Sequence, residues 1–445
     1  MERLVLTKLL EWKNSEYRKP LLLKGVRGVG KTWLLKEFGN RYYQNTAYFN
    51  FEESLEYKQF FETTKDAHRI LDNLIMASGQ DIEKTDTLII FDEIQDCPNV
   101  INSLKYFCEN APEYHLACAG SNLEGAVTKP SSFPVGKVDF LQINPMTFTE
   151  FLMANNDLNL VKFMDSIDEI TPIADAFFNP LYEKLKMYFV TGGMPKSVLM
   201  WTERKNVSKI QSSLSKLLKA YECDFKKLKT CLAQKCSLIY NSIPTQLNGN
   251  NKKFTFKAVK EGARKREYEA ALHYLENYQL VHKIYRCNKP KLPIAAFDDL
   301  SAFKIYLSDV GLLRRLSQLD PSAFIEGNRL FTEFKGALSE NYILQAFVNQ
   351  FEVTPRYWSQ NNPPYEVDFL IQRKNDILPI EVKAETNTKA TSLKKYKELF
   401  KEQTKLRVRF SLDNLRLDED MLNIPLFLAD KADKLISIAL KQRQL

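Results

Sequence analysis

Eight residues near the N-terminus restrict the possible folds more than any other stretch of the chain: Gly25-Val26-Arg27-Gly28-Val29-Gly30-Lys31-Thr32. They follow Pro20 and the apolar run Leu21-Leu22-Leu23, and they precede Trp33-Leu34-Leu35-Lys36-Glu37-Phe38, whose apolar positions have helical spacing. A buried strand, a G-x-x-x-x-G-K-T turn and a helix start, in that order, form a loop that cradles phosphate. Glycine lets the backbone take positive φ and turn its N–H groups inward, and the helix N-terminus adds partial positive charge. Lys31 brings a point charge to the β- and γ-phosphates, and the Thr32 hydroxyl suits Mg²⁺. The expected nucleotide contacts are therefore Gly25, Gly28, Val29, Gly30, Lys31, Thr32 and Trp33, with ATP and Mg²⁺ as cofactors.

Farther along, Thr87-Leu88-Ile89-Ile90-Phe91-Asp92-Glu93 reads as an apolar strand ending in two carboxylates. Asp92 is expected to hold Mg²⁺, usually through water, and Glu93 to polarise the attacking water as general base. Between the two motifs, Thr46–Phe51 reads as a strand and residues 54–79 as helical; a helix near 99–110 and a strand at Tyr114–Ala119 follow. Helices alternating with continuous apolar strands imply a parallel sheet covered on both faces.

The chain resembles the prokaryotic AAA-type ATPases that join such an N-terminal domain to a C-terminal domain of uncharacterised role. The resemblance spans nearly the full length and is carried by Asp92-Glu93-Ile94-Gln95, the strand end Gly120-Ser121, Pro145-Met146-Thr147-Phe148-Thr149-Glu150-Phe151-Leu152 and Gly192-Gly193-Met194-Pro195. It implies a sensor of the γ-phosphate or lytic water at Ser121, with Asn122 next, so that Glu93, Lys31 and Ser121 form the expected catalytic set. Where the family tends to place Gly-Arg before a strand, this chain has Gly136-Lys137. Lysine keeps the charge of an arginine finger and loses its planar fork.

At roughly 150 residues per domain, 445 residues suggest about three. The expected division is an ATPase domain at 1–200 with a helical lid from about 150, a basic domain at 201–300, and a third at 301–445. The charge balance supports the middle piece: residues 201–291 hold 20 Lys+Arg and seven Asp+Glu, whereas the whole chain nets only +8. Such segregation is what phosphate contacts need. No apolar run approaches the ~20 residues of a membrane helix and the N-terminus lacks a secretion signal's apolar core. Seven cysteines without a C-x-x-C indicate no disulfide framework. A reducing cytoplasm is the expected location.

Within the basic stretch, residues 206–242 have helical spacing, Phe254–Gly262 reads as a short helix, and Ala263-Arg264-Lys265-Arg266-Glu267 opens a longer one with the apolar stripe Tyr268, Ala271, Leu272 and Leu275. Val281–Cys287 alternates like a strand. Helix, turn, helix and strand hairpin together make a winged helix-turn-helix. Arg264, Lys265 and Arg266 stand where groove-facing residues lie, and lysines without interleaved aromatics favour phosphate contact over base readout.

Near the C-terminus, Phe331–Phe347 reads as a helix carrying Glu340, and Tyr365–Ile371 and Ile377–Ala384 as a hairpin. Period-two alternation puts Glu366 and Asp368 on one face of the first strand, and Glu381 and Lys383 on one face of the second. This arrangement resembles the restriction-endonuclease-like fold. The resemblance assigns Asp368 and Glu381 to a metal, Lys383 to the water, and Glu340 to a supporting role. The next expectation is an α/β chain in three parts: a P-loop parallel-sheet ATPase, a winged helix in contact with DNA, and a nuclease-like module. The competing expectation is a nucleotide-switched binding protein whose C-terminal fold recruits a partner without cutting. Homo-oligomerisation and the role of Lys304-Ile305-Tyr306-Leu307-Ser308-Asp309-Val310-Gly311 are left open; Asp309 suits a helix cap.

Overall fold

Apolar strands alternating with amphipathic helices build the N-terminal part of the chain. A computed structural model describes residues 1–120, 134–249, 252–325, 332–384 and 390–443. These fall into two units, Glu2–Asn144 with Asn277–Gln279, and Pro145–Glu276 with Leu280–Leu445 and Met1. The first contains α1 (Leu6–Lys13), β1 (Leu21–Lys24), α2 (Lys31–Tyr42), β2 (Asn45–Asn50), α3 (Leu55–Thr63), α4 (Ala67–Ser78), β3 (Thr87–Asp92), α5 (Pro98–Asn110), β4 (His115–Ala119) and β5 (Asp139–Gln142). Its five strands run in the order β2-β3-β4-β1-β5, every pair parallel. β3 and β4 are buried along their whole length, as expected of strands with helices on both faces. Phe49, Phe51, Phe61, Phe91 and Phe107 meet edge to face on one side of the sheet.

The stretch read as continuously helical from 54 to 79 divides in two. Ser54 caps α3 by accepting from Tyr57 N–H, and Asp66 caps α4 by accepting from the N–H groups of His68 and Arg69. Each side chain satisfies backbone donors that a new helix leaves without partners, so the chain restarts at Asp66.

The second unit begins with α6 (Phe148–Ala154), α7 (Leu158–Ser166), α8 (Asp175–Thr191), α9 (Pro195–Arg204), α10 (Val207–Lys226), α11 (Thr230–Leu247), α12 (Phe256–Val259) and α13 (Lys265–Asn277). There follow β6 (Val281–Cys287), β7 (Asp298–Leu307), α14 (Val310–Leu316), α15 (Ser322–Ile325), α16 (Thr332–Phe347), β8 (Arg356–Gln360), β9 (Tyr365–Arg373), β10 (Asp376–Val382), α17 (Thr391–Leu399), β11 (Arg407–Ser411), β12 (Arg416–Asp418), β13 (Met421–Pro425) and α18 (Ala432–Gln442). The buried residues of α13 are Tyr268, Ala271, Leu272 and Leu275, one stripe at helical spacing.

Eight strands form one sheet in the order β12-β13-β11-β10-β9-β8-β6-β7. The β6–β7 hairpin is therefore no free-standing wing: β6 pairs parallel to β8 through Arg286 and Tyr357, so β7 ends the sheet as an edge. The β9–β10 hairpin turns at Lys374, whose φ is +52°, and its register pairs Ile380 with Phe369. Two residues past Ile380, Val382 N–H donates to Asp368 at 2.8 Å.

Three segments that the sequence left without chemistry meet inside this unit. Asp309 is fully buried and caps α14 by accepting from Leu312 N–H, while its other oxygen accepts from Gly193 N–H at 2.5 Å. Met146 N–H donates to Gly193 O at 2.7 Å, and the Tyr188 hydroxyl donates to Met146 O. Glycine is required by space: a Cβ on Gly192 would lie 2.3 Å from Asp309 Oδ1, and one on Gly311 2.6 Å from Gly192 Cα. Burial drives the Asp309 carboxyl up to about 6, its hydrogen-bond donors opposing the shift.

Candidate functional site

The strand β1 stops at Lys24 and α2 starts at Lys31, so the six residues between form the loop. Gly28 and Gly30 take φ of +85° and +92°, values that a side chain disfavours. Gly25 is needed for a different reason, since a Cβ there would sit 2.5 Å from Ile143 O. Val29 is buried, and its carbonyl accepts from the Arg3 guanidinium, which also reaches Asn144 O at 2.8 Å. The Lys31 ammonium donates to Gly25 O at 2.7 Å and Val26 O at 3.3 Å. Burial lowers Lys31 to about 8 against the pull of Glu93 and Asp92. Thr32 follows on the first turn of α2, where N–H groups lack intrahelical partners, and Trp33 is 38% exposed beside it.

Asp92 closes β3 and is 3% exposed. Its two oxygens accept from the Tyr48 hydroxyl at 2.9 Å and from Glu93 N–H at 3.0 Å. Glu93 sits in the left-handed region at φ +51°, and its carboxylate accepts from the Gln95 amide at 2.5 Å. Burial, with Asp92 beside it, holds Glu93 above the usual carboxylate range while the Gln95 hydrogen bond works the other way. Such a carboxylate is poised to accept a proton at higher pH than a solvated one. One carboxylate and one hydroxyl, both hard oxygen donors, fit Mg²⁺, which takes few protein ligands and completes its shell from phosphate and water. Tyr48 was not anticipated; the alternation of β2 aims it at the same face as the strand-end acid.

Ser121, the expected sensor, lies outside the described residues, directly beyond β4 and Gly120. Lys137, in the arginine-finger position of the resemblance, ion-pairs with Glu109 at 2.9 Å. Arg264, Lys265 and Arg266 are all exposed at the start of α13.

In the second unit the sheet gathers Asp368 from β9, Glu381 from β10 and Glu340 from α16. Lys383, just past β10, ion-pairs with Glu381 at 2.9 Å. Two further lysines enter the cluster. Lys304, fully buried on β7, binds Glu366 at 2.5 Å, and Lys252, between α11 and α12, binds Glu340. The Tyr306 hydroxyl takes the other Glu340 oxygen at 3.0 Å. Burial works against the Glu340 carboxylate, yet Lys252 and Lys304 outweigh it and hold its pKa below the ordinary value. Asp368 goes the opposite way, pushed up to about 7 by burial and by Glu340. The two directions differ because the Lys252 ammonium stands on Glu340 itself, whereas Asp368, among the described residues, accepts directly from the Val382 N–H.

Among the described residues no three acid, imidazole or thiol side chains form a metal cage. Two carboxylates with one free buried oxygen, Glu381 Oε2, still suit a cation that draws its remaining ligands from phosphate and water. Lys252, Lys304 and Tyr306 were not anticipated. Period-two spacing in Lys304-Ile305-Tyr306 carried the signal for two of them, since it places lysine and tyrosine on one strand face.

A family profile described as an AAA domain matches residues 17–152. Profiles described as domains of unknown function, DUF8612 and DUF4143, match residues 182–323 and 335–427. The N-terminal part is thus an AAA-type P-loop domain. No curated protein matches the chain. Solved structures with similarity include the Aeropyrum pernix ORC1 protein in complex with DNA, 15% identical over 72% of this chain and 92% of that one, at a TM-score of 0.30. The Thermotoga maritima RuvB Holliday junction branch migration motor is 14% identical over 66% and 91%, with a TM-score of 0.30. Cdc6p from Pyrobaculum aerophilum is 12% identical over 72% and 93%, with a TM-score of 0.28. At such scores these likenesses carry no argument. Among the described residues no helix is long and apolar enough to cross a membrane.

Proposed function

We propose that the chain is an ATPase that binds ATP with Mg²⁺ at the glycine loop and hydrolyses it with Glu93 as general base. The observation that carries this reading is the buried Lys31 ammonium, bound to loop carbonyls and drawn by Asp92 and Glu93. A lysine is costly to bury without a partner anion, and N–H groups of the glycine loop and the first turn of α2 would supply the rest of a phosphate cradle. Bound metal would neutralise developing charge on the phosphates. Lys31 positions the phosphates, Thr32 and Asp92 hold the metal, and Glu93 takes the proton of the attacking water while Gln95 orients its carboxylate. Lys31→Ala should abolish ATP binding, read by Trp33 fluorescence or calorimetry. Glu93→Gln should bind ATP as before and lose turnover by about 100-fold or more. Wild-type turnover in Glu93→Gln would remove the base role.

The reading extends to the second unit as a division of labour between a basic winged-helix part, beginning near residue 201 and closed by the β6–β7 hairpin at Leu307, and a nuclease-like part built on α16 and β8–β13, the two sharing one sheet. Arg264, Lys265 and Arg266 would contact nucleic-acid phosphates, and Asp368, Glu381 and Lys383 with Glu340 would form the nuclease-like site. A second reading, a nucleotide-switched binder that does not cut, is favoured by the ion pairs of Lys252 and Lys304, which neutralise two of its carboxylates internally. The two part on whether plasmid DNA is cut with Mg²⁺ or Mn²⁺ and spared by Asp368→Ala.

A further inference from the structure

Lys252 comes from outside the strands and helix that supply the carboxylates, yet its ammonium is bound to Glu340 on α16. Its position is fixed by stitching just downstream. Phe254 N–H donates to Phe303 O on the β7 edge at 2.8 Å, and the two rings stack with centroids 5.3 Å apart. Thr255 exchanges two hydrogen bonds with the Gln246 side chain, at 3.0 and 2.8 Å. Glu340 is 1% exposed and has both oxygens taken by this chain's own donors, Lys252 and Tyr306. Among the described residues Glu381 Oε2, by contrast, is buried without a partner.

We infer that Lys252 is a built-in counter-cation for Glu340, holding the place a second divalent ion would need and leaving one cation position at Asp368 and Glu381. The inference rests on the reading of the C-terminal cluster as a cation site. Its physical basis is occupancy: both Glu340 oxygens already accept from internal donors, one of them the Lys252 ammonium whose charge repels a divalent ion where water is scarce, whereas Glu381 gives one oxygen to Lys383 and keeps Oε2 for a cation. Lys304 does not substitute for Lys252, being committed to Glu366, and Lys383 is committed to Glu381.

The test counts cations on the full chain without nucleotide, in an Asp92→Asn background that silences the N-terminal site. Mn²⁺ is titrated and the free ion read by electron paramagnetic resonance, with melting temperature followed in parallel. The unaltered cluster should bind one Mn²⁺, lost in Asp368→Asn. Lys252→Met and Lys252→Gln should gain a second Mn²⁺ or bind at least about tenfold more tightly. They should also melt lower in EDTA and recover with Mn²⁺, whereas Lys252→Arg should behave like the parent. Neutral variants that match the parent in both number and affinity would overturn the inference and leave the single site standing. Absence of Asp368-dependent Mn²⁺ binding in parent and variants alike would overturn the cation reading itself, and this inference with it.

Discussion

Lys31 shows how much one buried group can govern. Held at about 8 by burial, it is partly neutral in mildly alkaline solution while the loop is free. Phosphate charge favours its protonated form, so ATP binding must be accompanied by proton uptake near and above that value. Affinity should fall as pH rises through about 8, by up to tenfold per unit, and remain flat near neutrality. Calorimetry at about pH 8.5 in two buffers of different ionisation enthalpy should show uptake of part of a proton. Equal heats in both buffers would place the Lys31 proton elsewhere. Much of this site is legible in the sequence because Gly25, Gly28, Gly30, Lys31, Thr32, Asp92 and Glu93 lie in two short local patterns. Tyr48 and Arg3 are not legible, since Tyr48 reaches the site from β2, whose pattern reports only burial, and Arg3 from the segment ahead of α1, which carries no periodic pattern.

At the scale of elements, the informative contrast is between helices and connections. The β9–β10 hairpin and α16 follow from alternation and periodicity, and so does the meeting of Asp368 with the end of β10. Gly192-Gly193, Met146 and Asp309 do not announce their meeting, because a glycine's reason for being glycine is the atom that comes close to it. Gly192 has φ of +67° with Asp309 Oδ1 in the path of any Cβ. Gly192→Ala should destabilise the second unit by about 2–4 kcal/mol, measured from the urea midpoint at unchanged slope. Asp309→Ala should cost about 2–3 kcal/mol, since it strands the N–H groups of Gly193 and Leu312. The double variant should lose less than the sum, because the shorter side chain makes room for the new methyl group. Strict additivity would dissolve the proposed coupling.

Over the whole molecule the formal charge of +8 hides a segment from 201 to 291 with 20 basic and seven acidic residues. Part of that charge is spent inside the fold, as Lys252 on Glu340 and Lys283 at 3.5 Å from Glu276 show. Arg264, Lys265 and Arg266 remain exposed. If they contact phosphates, DNA affinity should fall steeply with salt, and neutralising all three should flatten the logarithmic slope by about 2–3. A slope unchanged by the triple variant would put the contact on other residues. Charge segregation is visible in a sequence, but which charges are consumed by ion pairs is settled only when distant strands and loops meet.

The bond between Gly193 and Asp309 joins residues 116 apart, and the cap that Asp430 gives Thr149 spans 281. During synthesis the helices from α6 to α11 emerge long before the groups that complete them. The AAA-type unit, apart from the three residues 277–279, can assemble from chain already made. The second must hold open hydrogen-bonding positions until nearly its last helix leaves the ribosome, which makes it the slow and aggregation-exposed part of the molecule's birth.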